Sequence, residues 1–264
     1  MKLTILLLMV SSMAFMGCDK VAGPDVTPPQ APSGLYTQTG DNSIEVFWKD
    51  NPERDVAGYN VFAGESYNGS YQLIGSTHIP YFQHTGLVNG RTYYYAVTAY
   101  DRNGNESDMS RDVAYDIPRP EGYDVVLSNY RQSPADAGYD FQDYSILGYN
   151  DQYSDMYFEY YNGEYYMDVR NDTEIQDVGP TSSLLEIRQA PTTGWSSTHD
   201  VVLRVGRTYI VWTWNNHFAK FRVTGLSSSR VVFDWAYQTA VSNPMLRPLS
   251  GGVGRSEAQS GSVH

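Results

Sequence analysis

Three groups of residues in this 264-residue chain have types that could do chemistry. Ser196, Ser197, His199 and Asp200 lie together in Trp195-Ser196-Ser197-Thr198-His199-Asp200, the side-chain types of a nucleophilic relay. Adjacent positions on an extended chain point to opposite sides, so adjacency alone does not build a triad. Cys18 is the only cysteine, which rules out an intramolecular disulfide and a cysteine-rich metal site. The third group is aromatic: the chain holds 23 tyrosines, and Met156-Tyr157-Phe158-Glu159-Tyr160-Tyr161 and Glu164-Tyr165-Tyr166-Met167-Asp168-Val169 flank Asn162-Gly163.

Two apolar-rich runs around Asn-Gly form a hairpin signal, because both turn positions must take positive φ. Side chains alternate along a strand, so Tyr157 and Tyr161 face one way while Phe158 and Tyr160 face the other. Tyrosine joins apolar area to a hydroxyl, which suits interfaces and sugar platforms. Tyr157, Tyr161 and Tyr166 are therefore the candidate binding surface, against the alternative of a fully buried hairpin. No Gly-x-Ser-x-Gly, His-Glu-x-x-His or phosphate-loop motif is present. A carboxylate pair for glycoside cleavage would leave no local spacing, since its members come from distant positions. The expectation is a chain without catalysis, cofactor or metal site.

The elements that must position these residues begin at the amino terminus. Lys2 precedes an apolar run too short to span a bilayer, and Gly17 stands before Cys18. This stretch resembles the bacterial lipobox, from which Phe15 and Met16 depart. The resemblance implies a signal peptide over residues 1–17, acylation of Cys18 and attachment to the cell envelope, at the outer membrane or cell surface. Residues 18–33 contain Pro24, Pro28, Pro29 and Pro32 and read as an extended tether.

From Pro32 to Pro118 short alternating runs recur between turn residues, the pattern of a β-sandwich. Pro32-Ser33-Gly34-Leu35, Ile44-x-Val46-x-Trp48, Asp55-x-x-Gly58-Tyr59-x-Val61 and Leu87-Val88-Asn89-Gly90-Arg91-Thr92-Tyr93 resemble the fibronectin type III family. The resemblance covers about ninety residues and assigns residues 34–118 to that immunoglobulin-like sandwich. It implies that Trp48 is core and that Tyr93 makes a corner hydrogen bond. Asp101-Arg102-Asn103-Gly104-Asn105-Glu106 combines oxygen side chains with glycine, but lacks the spacing of a calcium loop and reads as a turn.

Residues 121–248 show no sustained helical periodicity and read as a second, mainly β domain. Strands are expected at Ser183–Ile187, Val201–Val205, Thr208–Trp214, Phe218–Val223 and Arg230–Gln238, beside the tyrosine hairpin. Carboxylates dominate its first half and Arg188, Arg204, Arg207, Lys220, Arg222 and Arg230 its second, which points to acidic early strands pairing across a sheet with basic later ones. The stretch from Val205 to Gln238 is similar to the last strands of the HmuY-like family, β-rich lipid-anchored haem binders. That similarity implies His199 or His217 as axial ligands for a haem carrier. Residues 249–264 are polar and glycine-rich and read as a disordered tail.

The fold class is thus all-β, a fibronectin type III sandwich followed by a second mainly β domain. A formal net charge of −12 argues against nucleic acid, which needs a basic footprint. That charge is compatible with a protein or glycan partner, and the lipobox resemblance implies a lipid-anchored envelope protein that binds or scaffolds one. The alternatives are a haem or other small-ligand carrier and a carbohydrate-binding module associated with an enzyme.

Overall fold

The computed structural model describes residues 24–170 and 172–247, together with the backbone of Val253 and Gly254. Cys18 and the signal segment lie outside the described residues, as does most of the tail.

Seven strands build the first domain: β1 (Tyr36–Gly40), β2 (Ser43–Phe47), β3 (Val56–Gly64), β4 (Gln72–Thr77), β5 (Tyr81–Thr85), β6 (Tyr93–Asp101) and β7 (Asp112–Asp116). One sheet runs β1-β2-β5 and the other β7-β6-β3-β4. This antiparallel pairing of three strands against four makes the domain a fibronectin type III sandwich. Alternation explains its core: Ile44, Val46, Val61, Tyr95, Val97 and Ala99 are all wholly buried between the sheets. Trp48 is buried with them, edge-on to Tyr59 at 5.2 Å. Val88 N–H donates to the Tyr93 hydroxyl at 3.1 Å, which makes Tyr93 a corner that ties the loop before β6 to the strand.

The second domain is also a sandwich. Its strands are β8 (Glu121–Ser128), β9 (Gly138–Asp140), β10 (Ser145–Leu147), β11 (Met156–Tyr161), β12 (Glu164–Val169), β13 (Glu174–Pro180), β14 (Asp200–Val202), β15 (Arg207–Trp212), β16 (Phe218–Ser227) and β17 (Arg230–Gln238). Sheet order is β10-β9-β11-β12-β14 in one layer and β13-β15-β16-β17-β8 in the other. Met156, Phe158 and Met167 from the first layer meet Val211, Phe221 and Phe233 from the second in one core. Gly122 lets β8 pass close to the Trp235 indole; a Cβ there would lie 2.2 Å from Nε1.

A second corner stands in this domain. Arg204 N–H donates to the Tyr209 hydroxyl at 2.8 Å, and that hydroxyl donates to the Val202 carbonyl at 3.1 Å. Its surroundings, Leu203-Arg204-Val205-Gly206-Arg207-Thr208-Tyr209, share Leu-x-x-Gly-Arg-Thr-Tyr with Leu87 to Tyr93. Gly90 and Gly206 both take positive φ, +83° and +82°, where glycine is favoured.

Two expected strands are corrected. Ser183–Ile187 is not a strand but carries a short 3-10 turn, Leu184–Glu186. The buried Lys220 amine donates to the Leu184 and Ile187 carbonyls at 2.5 and 2.8 Å, and Arg247 donates to Leu185 at 3.0 Å. Those carbonyls are drawn to cations and cannot serve a ladder. The strand expected at Val201–Val205 ends at Val202: Leu203 N–H still reaches the Tyr165 carbonyl, but the Tyr209 hydroxyl donates to the Val202 carbonyl and accepts the Arg204 amide. The expected charge pairing across a sheet holds for Arg207 with Asp177 at 2.9 Å and Arg204 with Glu164 at 2.8 Å, whereas Lys220 is buried with carbonyl partners.

The domains meet at Pro118-Arg119-Pro120. Arg119 N–H donates to the Gly40 carbonyl at 3.2 Å, and its guanidinium pairs with Glu121 at 2.9 Å, both side chains buried. Asp116 is buried beside Thr39, which donates to it at 2.7 Å. Val253–Gly254 (β18) pairs antiparallel with β7 through Val113 and Asp112.

Candidate functional site

Asn162 and Gly163 take φ of +51° and +87°, the two positive values that a tight hairpin turn requires. Their turn sets β11 against β12 with Tyr157 opposite Asp168, Glu159 opposite Tyr166 and Tyr161 opposite Glu164. Phe158 and Met167 point into the core, and Tyr160 and Tyr165 pack at its margin with rings 5.0 Å apart. Tyr157, Tyr161, Tyr166, Glu159 and Asp168 therefore share the outer face of the sheet, interleaving phenols with carboxylates.

The three candidate tyrosines differ in setting. Tyr161 is exposed, with the Arg131 guanidinium over its ring at 4.5 Å. Arg131 also stacks on Tyr130 at 5.1 Å and bonds Glu159 through Nε at 2.5 Å, so one cation bridges two rings and a carboxylate. Tyr166 is half-buried in the centre of the face, between Glu159 and Val202 on the neighbouring strands. Tyr157 belongs to a cluster: Tyr130 lies edge-on at 5.4 Å, Tyr149 at 5.6 Å, and those two stack at 4.8 Å. Burial, helped by nearby Asp168, pushes the Tyr157 phenol up to about 12, so it stays a hydrogen-bond donor at neutral pH.

Asp168 sits at the base of this face. Burial, followed by the Glu159 and Asp200 carboxylates, pushes its carboxyl up to about 7 against the opposing effect of Arg131. Its Oδ2 is buried and, among the described residues, has no hydrogen-bond partner, which is part of why the neutral carboxyl is favoured.

The other sequence candidates do not converge. Ser196 meets Thr198 at 3.0 Å and Thr198 turns its hydroxyl to Asp200, while His199 Nδ1 faces the Thr173 carbonyl at 3.2 Å. Serine, histidine and aspartate thus form no relay. His217 Nδ1 meets Asn215 at 3.1 Å and its ring packs on Tyr237 at 5.4 Å, so each histidine is engaged by its own neighbours. Asp155 lies in the interior, its carboxyl pushed up to about 7 by burial.

The Asn103-Gly104 turn forms, with Asp101 accepting from the Asn103 and Asn105 amides at 2.8 and 2.9 Å. Among the described residues, folding brings Asp25 and Asp55 to Asp101, with carboxylate oxygens within 4.8 Å of one another. Local spacing could not reveal this group, because its members are far apart in the chain.

No family model matches the chain. An amylopullulanase of Thermoanaerobacterium saccharolyticum is 37% identical over 95 residues, covering 35% of this chain and 7% of that protein. Exoglucanase B of Cellulomonas fimi is 29% identical over 117 residues, 44% of this chain and 10% of the enzyme. Chitinase Chi52 of Paenibacillus xylanexedens is 29% identical over 157 residues, 59% of this chain and 25% of the enzyme. The chain spans less than a tenth of the length of the amylopullulanases it matches. Among solved structures, an Fn3-like protein from Clostridium thermocellum aligns at 27% identity with a TM-score of 0.31, over 34% of this chain and 92% of that one.

Proposed function

We propose that this chain is a non-catalytic glycan-binding protein of the bacterial envelope, held to the membrane through acyl chains on Cys18. The fibronectin type III domain acts as a spacer, and the outer face of the β11–β12 hairpin recognises the sugar. One observation carries the reading: phenols alternate with carboxylates on an outer sheet face, with the Tyr161 ring exposed at its end. Pyranose rings present apolar C–H faces and a rim of hydroxyls, which suits tyrosine planes flanked by acceptors. The partial relatives support this, being named for pullulan, glucan and chitin. Catalysis has no support from the residues that could perform it, since the serine, histidine and aspartate candidates stay apart.

Depletion of the protein from solution by insoluble starch, cellulose and chitin tests this. Retention on at least one polymer is expected, and Tyr161→Ala and Tyr166→Ala should each weaken it about five- to thirtyfold. Equal retention of wild type and both variants would overturn the assignment to this face. Retention on none of the three polymers would count against the glycan reading itself.

A further inference from the structure

In the sheet opposite the tyrosine face, the turn between β15 and β16 and the start of β13 frame a cleft of about 410 Å³. Its lining is Asp172, Glu174, Trp212, Thr213, Trp214 and Asn216. Trp212 and Trp214 are 38% and 45% exposed, large apolar surfaces to leave in water. The wall is nonetheless held in place. Trp212 Nε1 donates to Asn216 Oδ1 at 2.8 Å, and the indole stacks on Phe218 at 5.5 Å, with Trp195 tilted against it at 6.0 Å. Asn216 in turn donates to Ser242 at 2.5 Å, and the Thr213 hydroxyl is bonded to Asn215 at 2.6 Å. Glu174 is set beside Trp212 by the β13–β15 register. Among the described residues, neither the Asp172 nor the Glu174 carboxylate has a side-chain hydrogen-bond or ion-pair partner.

Two tryptophans and two uncompensated carboxylates attract a positive charge, the carboxylates by direct attraction and the indoles through their electron-rich faces. An anion is repelled, and a neutral ring would leave both carboxylates uncompensated. Indole offers no ligand atom to a bare metal ion. An N-methylated ammonium group answers each feature, since its charge is diffuse, its hydration weak and its methyl groups apolar. We infer that this cleft binds an alkylammonium cation of choline type. The inference stands apart from the glycan reading, because the cleft and the tyrosine face lie on different sheets.

Titration of the full chain with choline chloride, followed by tryptophan fluorescence, tests the inference. A saturable change is expected, absent with the uncharged isostere 3,3-dimethylbutan-1-ol. Glu174→Gln, which keeps shape and removes charge, should weaken binding about tenfold, and Trp214→Ala should abolish the change. Tyr166→Ala should leave it intact. Cosedimentation of the Cys18→Ser form, which has no acyl anchor, with phosphatidylcholine vesicles distinguishes the source: binding to vesicles but not to free choline assigns a lipid headgroup, and the reverse assigns a soluble cation. Equal binding of the isostere, or no saturable response to either choline or vesicles, would overturn the inference.

Discussion

Asp155 and Asp168 show how strongly position decides what a carboxylate does. Both are pushed up to about 7, chiefly by burial, and among the described residues both have an oxygen without a hydrogen-bond partner. An aspartate with a raised folded value contributes stability that is full below the unfolded value near 4 and is lost as pH rises towards 7. The protein is therefore expected to melt at higher temperature at pH 5 than at pH 8. Asp155 lies almost wholly out of water, and its share of that loss is at most roughly 4 kcal/mol. Asp155→Asn, which can still accept from Phe141 N–H, should raise the pH 8 melting temperature and flatten the profile; calorimetry across pH 4 to 8 would check both. The tyrosines also separate at this scale. Tyr161 and Tyr166 can be replaced with little change in melting temperature, whereas Tyr157 shares ring contacts with Tyr130 and Tyr149, so Tyr157→Ala should cost stability as well as binding. Alternation along one strand was enough to place Tyr157 and Tyr161 on one side, and the register across Asn162-Gly163 brings Tyr166 to the same face. Asp168 was not legible as a site residue, because its environment comes from Glu159 and Asp200 on neighbouring strands.

Elements with a local cause could be read from the chain. The hairpin has its turn residues, and β6 and β16 to β17 have their alternation. The segment at Ser183–Ile187 could not, because the cations that claim its carbonyls, Lys220 and Arg247, lie more than thirty residues away. The cleft tryptophans were hidden differently: Trp212 and Trp214 fit a strand pattern, and only the break into a turn at Thr213 exposes both. The shared Leu-x-x-Gly-Arg-Thr-Tyr spelling makes the two corners comparable. Tyr93→Phe and Tyr209→Phe each remove a hydroxyl that accepts a backbone N–H. Each should lower stability by about 1 to 2 kcal/mol, measured by denaturant unfolding, and the larger loss is expected for Tyr209, whose hydroxyl also donates to Val202. Equal stability of wild type and both variants would show the corners to be incidental.

Across the whole molecule, the sandwich class was legible from short alternating runs, but the character of the junction was not. Pro118-Arg119-Pro120 has the composition of a boundary, yet Arg119 is buried with Glu121 and its amide is bound to the first domain. Breaking such a pair strands a buried charge, at a cost of about 3 to 5 kcal/mol. Wild-type protein should unfold in a single calorimetric transition, and Arg119→Met should separate it into two. A split transition in wild type would contradict this coupling.

The central claim is that the outer face of β11 and β12 holds a glycan. Amide hydrogen exchange with saturating maltohexaose, cellohexaose or chitohexaose tests it most directly. The expected result is slowed exchange across residues 156–169 with at least one sugar, lost in the Tyr161→Ala, Tyr166→Ala double variant. Protection confined to the first domain, or none with any of the three sugars, would contradict it.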